Sequence, residues 1–133
     1  MRVILLGLLI TLPALACPDL QGFYKTCTSS TGAMSPVSNL TISQTGNAYT
    51  FSSEVSVDFI ADGVTRISEQ GQFKTSQKYF CENNTLVGIS KISMNGMPMG
   101  EFRMDVTKAG NILSTEMTGT LFGNNVYDTQ TCE

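Results

Sequence analysis

Apolar and polar residues alternate along most of this chain, and a period of two is typical of β-strands with one buried face. From Tyr49 to Phe59 the odd-numbered positions are nearly all apolar, whereas the even-numbered positions are polar. Phe102, Met104 and Val106 continue the pattern, because acidic or basic residues lie between them. After residue 16, no segment shows the 3.6-residue period of an amphipathic helix. The pattern predicts an all-β protein.

Turn-forming residues separate the alternating segments at short intervals. Gly, Asn and Asp tolerate the positive φ angles that tight hairpins need, and they recur at 46–47, 62–63, 83–84, 95–96, 110–111 and 123–125. Between these turns lie eight predicted strands, at residues 20–27, 37–44, 48–60, 64–81, 85–92, 99–107, 112–121 and 126–132. The polar run at 69–72 indicates that the fourth segment is broken into two strands or contains a β-bulge.

Short connections between successive strands predict an antiparallel up-and-down meander. A meander of this length with one apolar face closes most simply into a barrel of about eight strands, because closure removes exposed edges. Only the connection at residues 28–36 is long. We therefore expect a single β-barrel domain at residues 17–133. The side chains expected to point inward are Leu20, Tyr24, Tyr49, Phe51, Val55, Val57, Phe59, Phe102, Met104, Val106, Leu113, Met117 and Leu121.

Residues 1–16 have the features of a secretory signal peptide. Arg2 precedes an apolar run that ends at Leu12, and Ala14-Leu15-Ala16 is a small-x-small cleavage site. The apolar run is shorter than the ~20 residues that a membrane-spanning helix needs, and no later segment could form a transmembrane span. We expect a secreted or periplasmic protein that begins at Cys17. A lipid anchor on Cys17 is the alternative.

Four cysteines in an exported protein predict two disulfides. If residues 20–27 are extended, Cys17 and Cys27 lie roughly 30 Å apart at ~3.3 Å per residue, too far for a disulfide. Cys17 is therefore expected to pair with Cys81 or with Cys132. The chain has no Cys-x-x-Cys spacing, so the cysteines are interpreted as structural rather than redox-active or zinc-binding.

Composition narrows the range of functions. The formal net charge is −3 and the basic residues are scattered singly, so the basic patch of a nucleic-acid-binding protein is missing. The sequence contains no histidine, which removes the usual general base near neutral pH and the commonest metal ligand. We therefore do not expect an enzyme, and we expect no cofactor.

Three segments near the start of the chain carry a resemblance to a known group: Cys17-Pro18-Asp19-Leu20-Gln21-Gly22-Phe23-Tyr24, Ser38-Asn39-Leu40-Thr41-Ile42 and Gly46-Asn47-Ala48-Tyr49. They resemble the opening of calycin-type barrels, the lipocalin and avidin group, in which a Gly-x-Trp strand closes the barrel. Phe23 or Tyr24 would replace that tryptophan. Avidins line their biotin pocket with tryptophans, which this chain lacks, so biotin is not the expected ligand.

The resemblance also ranks the disulfides. A closed calycin-type meander places its last strand beside its first, which favours Cys17 with Cys132 and Cys27 with Cys81. The avidin group implies the alternative, because a cysteine at the start of its barrel bridges to one just before a hairpin, as Cys81 is here.

The predicted interior is the main candidate site, because an eight-stranded barrel can hold one small ligand or be filled by its own side chains. We interpret the chain as a binding protein for a small apolar ligand, and Gly88, Thr115 and Gly119 are expected to leave room for it. A protein-interaction module, such as an inhibitor of a secreted hydrolase with a filled core, is the alternative. The expected ligand-binding residues are Tyr24, Tyr49, Phe51, Val57, Phe59, Phe102, Met104 and Met117.

A methionine-rich turn gives a further hypothesis. Met94, Met97 and Met99 form a Met-x-x-Met-x-Met run around Asn95-Gly96. Thioether sulfurs select Cu(I), so a flexible hairpin could gather three of them on one copper ion. Methionine also serves as an adaptable apolar contact residue, and an exposed contact loop is the other interpretation of this run.

Overall fold

A computed structural model describes residues 17–133, so the predicted signal peptide lies outside the described residues. Within this range the chain forms ten β-strands and no helix, which confirms the all-β prediction. The described residues include no helix with the length and hydropathy that a bilayer crossing requires. The strands are β1 (Gly22–Ser29), β2 (Val37–Thr45), β3 (Ala48–Ser52), β4 (Ser56–Ile60), β5 (Arg66–Gln70), β6 (Phe73–Glu82), β7 (Thr85–Met94), β8 (Met97–Ala109), β9 (Ile112–Leu121) and β10 (Asn124–Cys132).

All ten strands belong to one antiparallel sheet in the order β4-β3-β2-β1-β10-β9-β8-β7-β6-β5. Two meanders, β1 to β4 and β5 to β10, are therefore joined where the first strand pairs with the last. The sheet curls but does not close into a full barrel, because its two edge strands, β4 and β5, do not pair with each other. It therefore forms a half-barrel. The prediction of a closed barrel of about eight strands is wrong in both strand number and closure, whereas the up-and-down order is confirmed.

Both extra strands arise from hairpins inside predicted strands. The predicted break at 69–72 is confirmed, because β5 and β6 are joined by a two-residue turn at Gly71-Gln72. The predicted strand 48–60 is instead the β3–β4 hairpin, in which Phe51 faces Val57. Paired residues in this hairpin have numbers of the same parity, so the apolar positions alternate as they would in one continuous strand. Alternation alone could not have revealed the turn.

The hairpin turns follow the predicted chemistry at most sites. Asn83 and Asn84 have φ angles of 49° and 57°, and Asn95-Gly96 is also left-handed, as tight two-residue turns require. The last turn lies at Phe122-Gly123 rather than at 123–125, and Phe122 itself has a φ of 50°. β10 consequently begins two residues before its predicted start at Val126.

The packed core lies at one end of the half-barrel, on the concave face. Its centre is the segment that precedes β1, where Leu20 is fully buried. The hydroxyl of Tyr49 donates to the carbonyl of Pro18 at 2.7 Å, and the side chain of Gln44 bonds both Pro18 and Leu20. The buried apolar residues of this core are Leu20, Tyr24, Cys27, Leu40, Ile42, Tyr49, Ala61, Cys81, Leu86, Val106, Leu113 and Cys132.

Two disulfides hold this arrangement, and their pairing corrects the one favoured above. Cys17 is bonded to Cys81 and Cys27 to Cys132, as in the avidin-type alternative for Cys17. The last strand does lie beside the first, but its register places Cys132 directly opposite Cys27. Glu133 already lies opposite Thr26, so β10 does not extend as far as Cys17.

Gly119 occupies a position where β8 and β9 approach too closely for any side chain. A Cβ atom there would lie 2.1 Å from the carbonyl oxygen of Glu101 and 2.9 Å from the Cα of Phe102. Since both neighbours are main-chain atoms, Gly119→Ala should lower the free energy of unfolding by about 3 kcal/mol. Chemical denaturation measures this loss. Thr118→Ala, on the exposed face of the same strand, is the control and should change stability little; equal stability of the two variants would contradict the assignment.

Candidate functional site

The concave face is open at the end of the half-barrel away from the packed core. A groove of about 540 Å³ lies there, within the range of small-molecule sites. Alternation along β8, β9 and β10 directs one apolar side chain after another into it. Most of its wall is apolar, and its main side chains are Tyr79, Phe102, Met104, Met117, Leu121 and Val126.

Two aromatic rings fill the space that small residues were expected to leave free. Tyr79 is the cross-strand partner of Gly88, and a Cβ atom on Gly88 would lie 2.9 Å from its ring. Phe102 is likewise the partner of Gly119 and lies against it. The expectation that Gly88 and Gly119 make room for a ligand is therefore corrected, because these glycines accommodate the rings that form the groove wall. Thr115 is buried and lies outside the groove lining.

The structure divides the predicted ligand-binding residues into separate places. Phe102, Met104 and Met117 line the concave groove together. Tyr49 and Phe59 line a second groove of about 570 Å³ near the unpaired edge of β4. Tyr79 lines both grooves, and its ring stacks on Phe59 with centroids 4.5 Å apart. Residues expected to surround one ligand are thus distributed on both sides of an aromatic contact.

The other predicted ligand residues have different environments. Tyr24 is buried in the core, where its hydroxyl donates to the carbonyl of Leu20 at 2.9 Å. Phe51 packs against the core from its edge, with its ring 5.1 Å from that of Phe59. Val55 and Val57 are 71% and 51% exposed, so, contrary to the expectation, neither is enclosed in a barrel interior. They lie at the turn and on the edge strand of the β3–β4 hairpin, where no strand covers them.

A buried aspartate holds the long connection between β1 and β2 against the groove. Asp128 lies on the concave side of β10, opposite Met117, and is fully buried. Its carboxylate accepts hydrogen bonds from the amides of Thr31 and Met34 at 2.9 and 2.7 Å. The hydroxyls of Ser29 and Ser30 also donate to it. This connection, residues 30–36, brings Ala33 into the groove lining.

The Asp128 carboxyl is ionised at neutral pH. Removal from water raises its pKa, but hydrogen bonds from the Ser29 hydroxyl and from loop amides lower it by more, leaving the pKa below the usual aspartate range. Tyr49 shows the opposite effect: burial, and to a smaller extent the charge of Asp19, raises its pKa to about 12. Tyr49 therefore stays protonated and serves as a hydrogen-bond donor.

Sequence reasoning did not identify Asp128, Tyr79 or Val126 as site residues. Asp128 shares an inward-facing register with Val126 and Cys132 on a predicted strand, and an acidic residue in such a register needs donors. The Ser- and Thr-rich connection at 28–36 could supply them. An acidic residue in an inward register, together with a connection rich in hydroxyl groups, was the sequence signal that could have identified Asp128. Tyr79 lay inside a predicted strand whose break obscured which face it occupied.

The methionine run lies in the β7–β8 hairpin. Met94 and Met97 are direct cross-strand partners on either side of Asn95-Gly96. The register shifts between Ile92 and Ser93, and Met99 lines a different groove, together with Lys74 and Lys91. The pairing thus brings two of the three sulfur-bearing residues to facing positions, and copper binding stays a prediction. Within residues 17–133, Asp, Glu and Cys side chains form no cluster of three that could hold a metal ion.

No protein-family model matches this chain, and no curated protein is similar enough to count as a match.

Proposed function

We propose that this protein is an exported binding protein that holds a small apolar ligand in the concave groove. The observation that carries this proposal is the open apolar wall of β8 to β10. Met104 is 38% exposed there, although a closed or filled barrel would bury it. Moving apolar surface out of water lowers the free energy by about 25 cal/mol per Å². A groove that keeps such side chains in contact with solvent can use this term to bind a ligand.

The disulfides support the proposed location outside the cytoplasm. Two disulfides are typical of an oxidising compartment, extracellular or periplasmic. They fit the interpretation of residues 1–16 as a signal peptide. The Sγ atom of Cys17 is bonded to that of Cys81, so it is not available for the thioether bond that a lipid anchor would need. We therefore favour a secreted or periplasmic protein without a lipid on Cys17.

A calycin-type relationship remains part of the proposal. The up-and-down order, and the pairing of the first strand with the last, are what such a barrel needs. The position of Tyr24 in the core fits the place of the tryptophan in the calycin opening strand. The unpaired edges of β4 and β5 are a departure from that group.

The test is binding of N-phenyl-1-naphthylamine, an uncharged apolar probe whose fluorescence rises in an apolar site. We expect saturable binding to the folded, oxidised protein. Met104→Glu places a charge in the groove wall and should weaken binding about tenfold or more. Thr118→Glu, which adds the same charge on the opposite face of the sheet, is the matched control and should leave binding unchanged.

The competing function is a protein-interaction module, and a second observation favours it. Several large apolar residues around the β4 and β5 edges are exposed, which is typical of contact surfaces. They are Val55, Val57, Ile60, Val64, Ile67 and Phe73. A folded protein that binds no probe, or that binds it equally well as Met104→Glu, would overturn the groove proposal and leave these edges as the functional surface.

A further inference from the structure

We propose that the groove selects uncharged apolar ligands that carry a hydroxyl, amide or ester group, and discriminates against fatty-acid carboxylates. This inference rests on the proposed function and narrows its ligand class. The observation behind it is the charge around the groove: among residues 17–133 the one buried charged side chain, Asp128, lies beside the groove wall and is negative.

The groove lining contains no basic side chain. The lysines of β6, Lys74 and Lys78, alternate with Gln77 and therefore point to the opposite face of the sheet. Arg66 is the cross-strand partner of Gln77 and lies nearest in register. Asp62 already engages its guanidinium through two hydrogen bonds of 2.7 and 3.0 Å. A ligand carboxylate would therefore enter without a cationic partner.

Asp128 adds a negative charge behind the groove wall. It is the cross-strand partner of Met117, so its carboxylate lies beside a residue that a bound ligand would touch. The loop amides of Thr31 and Met34 could in other circumstances bind an anion, but both donate to Asp128. Like charges repel strongly when little water separates them. The same loop that lines part of the groove thus makes it unfavourable for an anion.

Polar groups at the groove rim suit a neutral head group. Gln77 and Ser90 are direct cross-strand partners, and both line the groove. An amide and a hydroxyl together supply donors and acceptors without net charge. These groups can form hydrogen bonds with an alcohol or an amide, which donates and accepts, and with an ester, which only accepts. They offer a carboxylate hydrogen bonds but do not neutralise it.

Competition between two ligands with the same chain tests the inference. 1-Dodecanol and dodecanoate, each below its aggregation concentration, would displace N-phenyl-1-naphthylamine from the wild-type protein at pH 7.5. We expect half of the probe to be displaced at a 1-dodecanol concentration about tenfold or more below the dodecanoate concentration that has the same effect. Equal or tighter binding of dodecanoate would overturn the inference while leaving the apolar groove intact. Absence of probe binding would instead overturn the proposed function itself.

A charge added to the groove provides a second measurement. Ser90→Lys places a cation at the rim and should shift the preference towards dodecanoate, whereas Thr118→Lys on the convex face should leave the wild-type preference unchanged. If both variants keep the same preference for 1-dodecanol, the charge of the groove does not set its selectivity and the inference fails.

Discussion

Replacing Cys27 and Cys132 with alanine should lower the free energy of unfolding by roughly 3 to 4 kcal/mol. This disulfide spans 105 residues and fastens the seam where β1 meets β10. A cross-link across so long a loop restricts the unfolded chain strongly, although the Cys17–Cys81 bond already shortens the effective loop. Both cysteines are buried, so the alanines also leave a small cavity. Urea denaturation of the oxidised proteins measures the difference.

The strand pairing across the seam is short, which is why we expect a large effect. Only Cys27, Thr28 and Ser29 pair in register with β10, and the carbonyl of Glu133 accepts from the amides of Lys25 and Thr26. Wild-type protein in a reducing agent is the matched comparison and should lose at least as much stability as the variant. A variant as stable as the oxidised wild type would show that the strand pairing and the hydrogen bonds of Asp128 hold the seam without the disulfide.

Asp128→Asn should release the loop at residues 30–36 and lower the melting temperature by roughly 5 to 10 °C at pH 7. The substitution removes the negative charge and turns one acceptor oxygen into a donor, so the donors from Ser29 and the loop amides lose part of their acceptor. Thermal unfolding measures the stability, and hydrogen exchange at Thr31 and Met34 reports on the loop itself. Probe affinity should fall as well, because Ala33 lines the groove.

The pH dependence follows from the lowered pKa of Asp128. Its stabilising contribution is present above the pKa of an unfolded-chain aspartate, about 3.9, and is lost as the pH falls from there towards the lower folded-state pKa. The stability difference between wild type and Asp128→Asn should therefore be largest near neutral pH and shrink below about pH 4. Glu116→Gln, an exposed acidic residue on the neighbouring strand, is the control. A difference that stays constant down to acid pH would contradict the assignment of Asp128.

Local signals in the sequence predicted most of the strands. Alternation identified β8 and β9, and Asn95-Gly96 and Gly110-Asn111 marked the turns that precede them, because these properties depend only on residues close in the chain. The β3–β4 hairpin escaped detection because Ser53 and Glu54 lack the usual turn chemistry and Phe51 pairs with Val57 in the same parity. The local pattern there was compatible with two structures.

Features that depend on distant residues could not be predicted in the same way. Whether β4 meets β5 depends on the curl of the whole sheet, and the partner of Cys17 depends on the register between β1 and β10. The division of the inward residues into a packed end and an open end has a similar origin. Leu20 and Tyr24 fill one end because Gln44 and Tyr49 hold the segment that precedes β1, whereas within residues 17–133 no comparable segment fills the end around Met104.

The meeting of the first and last strands also constrains how this protein acquires its structure. The contacts across the seam join residues about a hundred positions apart, which raises the contact order and is associated with slow folding. The first four strands cannot dock on β10 until that strand has been synthesised. Until then, the exposed edge of β1 is open to pairing with another chain. Oxidation of Cys27 and Cys132 would then act as the closing step of maturation.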